Sequence, residues 1–143
     1  MNFEMCVAVG VVMNDKGQIF VTKRKPTAHQ GGLWEFPGGK METGETATEA
    51  LTRELYEEIS IEVRGLEPYM RVSHNYEDLR VSLEVFLVTN YVGDAKCSEG
   101  QVGSWVSIEQ ITSAGNDFPF PEANDLILEK LQSLDKSRLV GSP

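Results

Sequence analysis

The segment GGKMETGETATEALTRELYEEISI, residues 38–61, decides how the rest of the chain is read. Its second half is a helix with marked ends. Thr46, with Glu49 three residues on, has the form of a capping box, in which each side chain takes a backbone N–H of the other. Strong helix formers follow as far as Ile59, so the pattern predicts a helix over Ala47 to Ile59. At about 100° per residue with Ala47 at zero, Leu51 falls near 40°, Leu55 near 80°, Ile59 near 120° and Ala50 near 300°. The packing side is therefore centred at about 30°. On the same wheel Glu58 lies near 20°, Glu54 near 340° and Glu57 near 280°, while Glu49, Thr52 and Tyr56 occupy roughly 140 to 200°. Two of the three glutamates thus share the side of the apolar residues, where a merely solvated acidic face would have put them opposite.

Carboxylates at i, i+3 and i+4 are neighbours that repel one another, and burying even one unpaired carboxylate is costly. Arg53 is adjacent and able to orient or neutralise one of them, but a single guanidinium is too little for three. Hard divalent cations with carboxylate and water ligands are the natural remedy, and Mg²⁺ in particular binds through few carboxylates plus substrate phosphates. With no His nearby, zinc fits less well.

On the N-terminal side, Met5 to Met13 is apolar and valine-rich, Asn14-Asp15-Lys16-Gly17 supplies turn residues, and Gln18 to Lys23 resumes with Ile19, Phe20 and Val21; this reads as a β-hairpin. From Arg24 to Gly44 glycines and prolines predict a long loop with one short strand in Leu33-Trp34-Glu35-Phe36, and long loops in compact domains are often functional. On the C-terminal side, Glu62 to Asn75 and Leu79 to Tyr91 read as strands joined at Tyr76-Glu77-Asp78, and Ser104-Trp105-Val106 as a further short strand. After a loop over Ser113 to Pro121, Ala123, Leu126, Ile127, Leu131 and Leu134 recur at helical spacing. The expectation is one domain over residues 1–136 and a loose tail over 137–143.

The 143 residues suffice for one hydrophobic core without disulfides or structural metal. Cys6 and Cys97 lack the spacing of a metal knuckle or redox pair and read as unpaired thiols. No apolar stretch has the length of a membrane span, and the start of the chain lacks the marks of a signal peptide, so a cytoplasmic protein with no membrane partner is expected. The net charge of −9 argues against a grip on a nucleic-acid polymer. It leaves room for one small polyphosphate, if divalent cations stand between carboxylates and phosphate.

Gly39, then five residues, Glu45, then seven residues, then Arg53-Glu54-Leu55-Tyr56-Glu57-Glu58-Ile59-Ser60-Ile61 resembles the Nudix box, with Ser60 where the box has Gly. The likeness is greatest to the MutT branch, whose members hydrolyse nucleoside triphosphates, notably oxidised dGTP. It extends through Phe20-Val21-Thr22-Lys23-Arg24, Leu33-Trp34-Glu35-Phe36-Pro37-Gly38-Gly39-Lys40, Glu99-Gly100-Gln101, Asp117-Phe118-Pro119 and Ala123-Asn124. The resemblance implies an α/β fold, an α/β/α sandwich with a mixed sheet between the Nudix helix and a C-terminal helix. It implies that Glu54, Glu57 and Glu58 ligate Mg²⁺, or Mn²⁺ in its place, helped by the Gly39 carbonyl and by Glu99, with Arg53 supporting the glutamates. The reaction implied is attack of a metal-activated water on the β-phosphorus, releasing a nucleoside monophosphate and pyrophosphate; Glu54 and Glu99 are the candidates for removing the proton.

For the substrate side, the resemblance points to Arg24 near the nucleotide and, more weakly, Arg80. Gly38 with Gly39 permits close approach of backbone to metal or phosphate. Lys40 and Phe36 complete the candidate substrate set, although Lys40 alone reads as surface charge, and Phe36, Trp34 and Trp105 are more often core than base-stacking platforms. The Asn matching Asn124 reads the edge of the modified guanine in the MutT branch; the alternative for Asn124 is a helix N-cap for Asp125 to Leu134. Phe118 to Asn124 carries two more residues between Phe-Pro and Ala-Asn than the branch pattern. His29 and His74 read as structural or surface residues. The leading expectation is a hydrolase of oxidised purine nucleotides acting as a monomer or weak dimer. The alternatives are a Nudix hydrolase of another nucleotide, such as a modified pyrimidine triphosphate, or a non-catalytic nucleotide-sensing module.

Overall fold

Thr46 starts the predicted helix by the predicted means. Its hydroxyl accepts the N–H of Glu49 at 3.2 Å and the Glu49 carboxylate accepts the N–H of Thr46 at 2.9 Å, so two N–H groups without helical partners are satisfied reciprocally. The computed structural model describes the backbone of residues 3–27 and 31–141 and the side chains of 4–27 and 31–134; His29 lies outside them. In chain order the elements are β1 (Phe3–Val12), β2 (Ile19–Lys23), β3 (Trp34–Glu35), β4 (Gly38–Lys40), α1 (Ala47–Ile59), β5 (Glu62–Tyr76), β6 (Leu79–Val92), β7 (Val102–Val106), α2 (Ile108–Thr112) and α3 (Asp125–Gly141), the last preceded by a 3₁₀ turn at Glu122–Asn124.

The first two strands do not form the expected hairpin. The turn is present, with Asn14 Oδ1 accepting the N–H groups of Lys16 and Gln18, but beyond one bridge at Met13 and Ile19 the strands part into different sheets. β1 lies between β4, antiparallel, and β6, parallel, in a sheet of order β4-β1-β6-β5; β2 lies between β3 and β7 in a second, antiparallel sheet. The reason is in the composition of β1. Ala8 to Met13 are buried without interruption, the signature of a central strand covered on both faces, whereas a two-stranded hairpin would leave one face wet.

Alternation along β1 divides the interior. Ala8 and Val12 face a core built with Ala50, Leu51, Leu55 and Ile59 of α1, while Val9 and Val11 face one built with Ile108 and Ile111 of α2 and Ile127 and Leu131 of α3. The mixed sheet therefore sits between α1 and α3, the layered α/β/α arrangement expected. β5 and β6 meet through Glu77-Asp78 as expected, and β5 tolerates Pro68 and its register shifts because it is an edge strand. Two elements were not anticipated: β4, whose Gly-Gly-Lys lacks strand propensity, and α2, whose Ser107/Gln110 capping box was legible. α3 continues to Gly141, past the expected end at Leu134, since residues 134–140 contain no Gly or Pro to stop it.

α1 ends at Ser60 with φ 61° and ψ 30°, the left-handed conformation that glycine usually takes at a helix end. Among the described residues it is the one non-glycine with positive φ. Ser60→Gly removes the Cβ conflict, and we expect it to raise the unfolding free energy by about 1 kcal/mol in urea denaturation; an unchanged or lower midpoint would show that Ser60 is not strained.

Candidate active site

The helical wheel is realised residue by residue. Glu58 is only 6% exposed, Glu54 is half-buried and Glu57 is exposed. Burial pushes the Glu58 carboxyl up to about 8, and the negative charges of Glu35, Glu54 and Glu99 push the same way; the Gly38 N–H, donating to Glu58 Oε2 at 3.3 Å, opposes them. Glu54 is raised as well, chiefly by burial, with Arg53 offsetting part of it.

Arg53 supports more than the carboxylates of its own helix. Its Nε and Nη2 grip Glu45 in a bidentate pair at 2.8 and 2.9 Å, while Nη1 donates to Glu54 at 2.8 Å and reaches Glu57 at 3.4 Å. The hydrogen bond from Arg53, seconded by the N–H of Glu42, holds the Glu45 carboxyl down to about 2. The role of Glu45 went unread in the sequence, although its fixed distance from Arg53 in the motif was the available signal. One guanidinium is therefore shared among four carboxylates, Glu42 at 3.7 Å being the fourth, and Glu58 gets none of it among the described ion pairs.

β4 brings backbone to the same place. A Cβ at Gly39 would fall 2.5 Å from the Glu54 carboxyl carbon, and one at Gly38, φ 150°, would overlap the carbonyl oxygen of Ala8. From the other side, the Lys96 and Ser98 N–H groups donate to the carbonyls of Ile59 at 3.0 Å and Glu58 at 2.9 Å, tying the loop before β7 to the end of α1. Glu99 follows directly, and its charge acts on both Glu54 and Glu58. All the donors gathered here are oxygens, the set a hard cation takes. Among the described residues no three carboxylate, thiol or imidazole side chains already converge on one point.

A cleft of about 620 Å³ opens beside this cluster. It brings together Arg24, Phe36, Gly38, Gly39, Lys40 and Asn124 from the expected set. Arg80 is left out: Leu79 and Val81 line the cleft, so strand alternation turns the exposed Arg80 to the other face of β6. Two residues not singled out also line it, Glu35, which pairs with Arg24 at 2.9 Å, and Tyr76, whose ring packs on His74. Asn124 is not a side-chain N-cap. It sits in the 3₁₀ turn, where its N–H and Nδ2 both donate to the Pro121 carbonyl, and its Oδ1 accepts no bond from the described residues. The segment before it is packed by aromatic contacts: Phe118 on Trp34 and Phe120 on Phe36, each pair at 4.9 Å, and the backbone N–H of Trp34 donates to the Pro119 carbonyl. Trp34 and Phe36 are buried, and Trp105 packs edge-on against Phe20.

The position of Glu58 sets a pH dependence. Between the ordinary value of 4.5 and about 8 the folded protein keeps a proton that the unfolded chain has released, so the metal-free protein loses stability as pH rises through that window. In EDTA, Glu58→Gln should remove this slope, so that its stability relative to wild type grows from about pH 5 to about pH 8 in thermal melts. A difference that stays flat would contradict the burial of a protonated Glu58.

Comparison with known proteins agrees with this geometry. The NUDIX domain family model matches residues 8–130. An 8-oxo-dGTP diphosphatase of Escherichia coli (strain K12) is 36% identical over 128 residues, 90% of this chain and 96% of that protein. A CTP pyrophosphohydrolase of the same organism is 30% identical over 135 residues, 94% of this chain and 97% of that protein. A solved structure of MutT, of Aliivibrio salmonicida or Vibrio cholerae, superposes with a TM-score of 0.78 at 36% identity, covering 92% of this chain and 98% of that one. The acidic helix, the Gly-Gly strand laid against it and the fold around them belong to a MutT-like member of the Nudix hydrolase family.

Proposed function

We propose that this enzyme hydrolyses nucleoside triphosphates to monophosphate and pyrophosphate with Mg²⁺, Mn²⁺ serving as a substitute, and that oxidised purine nucleotides such as 8-oxo-dGTP are its substrates. The observation that carries the proposal is the continuity of the site: one cleft has the Gly38-Gly39 backbone beside the carboxylate helix in its wall, and Asn124 with a free carbonyl acceptor in the same wall. The 8-oxo-dGTP diphosphatase among its relatives supports the choice of substrate.

Glu54, Glu57, Glu58, Glu99 and the Gly39 carbonyl would hold the metal. The fit rests on the oxygen-only donor set and on Glu58, a buried carboxylate with one hydrogen bond and like charges around it. When bound, the metal lowers the pKa of water and neutralises phosphate oxygens. Arg53 keeps Glu54 and Glu57 oriented, and Glu54 or Glu99 accepts the proton from the attacking water. Arg24 and Lys40, both in the cleft wall, add positive charge along the phosphates. Phe36, held by Phe120, bounds the nucleoside, and the Asn124 amide offers an acceptor and a donor to the base edge.

A second reading has a specific observation in its favour. The CTP pyrophosphohydrolase relative aligns over nearly the whole chain, which keeps a pyrimidine triphosphate in view. Steady-state assays of released pyrophosphate with Mg²⁺ decide between them. We expect kcat/KM for 8-oxo-dGTP to exceed that for CTP by roughly a hundredfold or more, because a base-edge amide left unpaired by the wrong base is costly. In the same assay Glu57→Gln should lower kcat by roughly a hundredfold or more while its Tm stays near wild type, since Glu57 is exposed and makes only a long contact with Arg53. Higher kcat/KM for CTP would replace the purine reading with the pyrimidine one; near-normal turnover by Glu57→Gln would remove the metal assignment.

A further inference from the structure

The C-terminal end of α1 is capped by a residue far away in sequence. The last carbonyls of a helix lack intrahelical partners. Here the Ser98 hydroxyl donates to the carbonyl of Glu57 at 2.7 Å and lies 3.0 Å from that of Glu58, while the Ser98 N–H donates to Glu58 at 2.9 Å. The hydroxyl of Ser60 stands 3.4 Å from that of Ser98. One residue is thus attached to the helix at two points, backbone and side chain. The preceding residue is seated on the opposite side: a Cβ at Gly103 would come within 2.8 Å of Cys97 Sγ, so the thiol fills the space over β7. Lys96 completes the attachment through Ile59.

Such an arrangement fixes the backbone from which the next residue, Glu99, departs. The carbonyls that Ser98 grips belong to Glu57 and Glu58, two members of the carboxylate cluster. We propose that Ser98 is a positioning residue for Glu99, fixing where that carboxylate stands relative to Glu57 and Glu58 and acting on the reaction only through it. The proposal rests on the assignment of Glu99 to the metal-binding set. A serine that merely stabilised the helix end would lower Tm without touching metal affinity, and its effect would not depend on Glu99.

The test is a double-mutant cycle on the full-length enzyme. Ser98→Ala, Ser98→Thr, Glu99→Gln and the Ser98→Ala/Glu99→Gln pair are compared for kcat, nucleotide KM, Tm and Mn²⁺ affinity by electron paramagnetic resonance in the absence of nucleotide. Ser98→Ala keeps its backbone bond, so folding is retained. Expected are a kcat about tenfold lower with nucleotide KM near wild type, weaker Mn²⁺ binding, and recovery of most of both in Ser98→Thr, which restores the hydroxyl. In the Glu99→Gln background, removing the hydroxyl should cause no further loss. Wild-type kcat and Mn²⁺ affinity in Ser98→Ala, or an equal fold-loss with and without Glu99, would overturn the proposal, as would wild-type kcat in Glu99→Gln. Failure of the parent reading is separate: there the wild-type enzyme would turn over none of the nucleotides tested, or Glu57→Gln would be fully active.

Discussion

Everything in this structure turns on a carboxylate held largely out of water. Leu51, Leu55 and Ile59 lock one face of α1 onto β1, and Glu58 shares that face. Each fully buried Leu or Ile contributes roughly 1.5–3 kcal/mol. Raising a carboxyl from 4.5 to about 8 corresponds, at about 1.4 kcal/mol per unit, to roughly 5 kcal/mol against ionising it in place. The apolar contacts match or exceed that penalty, so the helix stays docked and Glu58 stays buried. Stability of the fold and the raised proton affinity of Glu58 are two consequences of one packing arrangement.

The surrounding elements make sense as responses to that constraint. β4 has no side chains at Gly38 and Gly39, which lets backbone run against Glu54 and hand an N–H to Glu58. Arg53 is held by Glu45, so its charge is fixed beside Glu54 and Glu57 instead of roaming over the surface. The loop before β7 is fastened to the helix end, which brings the charge of Glu99 to bear on the cluster from a different part of the chain. The cleft beyond is walled by β1 and β6, the two strands whose parallel pairing forms the centre of the sheet, so it is built on regular, fully paired backbone.

What the sequence disclosed and what it hid follow from the range of the interactions. The span of α1, the wheel positions of its glutamates and the αL residue at Ser60 are local, set within a few residues, and each was readable. The separation of β1 from β2 was not, because the pairing of β1 with β6 joins residues 76 positions apart, as Phe3 with Leu79, and overrides the turn between neighbours. The exclusion of Arg80 from the cleft depends on which face of β6 is covered, again a tertiary fact. Ser98 had no mark in sequence at all; its bonds to the end of α1 come from where the loop lands. Asn124 was legible as a residue of interest, but only the fold showed that its side chain lies in the cleft wall with its carbonyl accepting no bond from the described residues.

If the acidic cluster holds Mg²⁺ as proposed, the cation takes the place of a proton. Titrating the metal-free protein with Mg²⁺ in weakly buffered solution at about pH 7 measures this directly, since binding must discharge whatever Glu58 holds. Close to one proton per chain should be released, and none in Glu58→Gln. Mg²⁺ binding without proton release, or release that survives in that variant, would contradict this exchange.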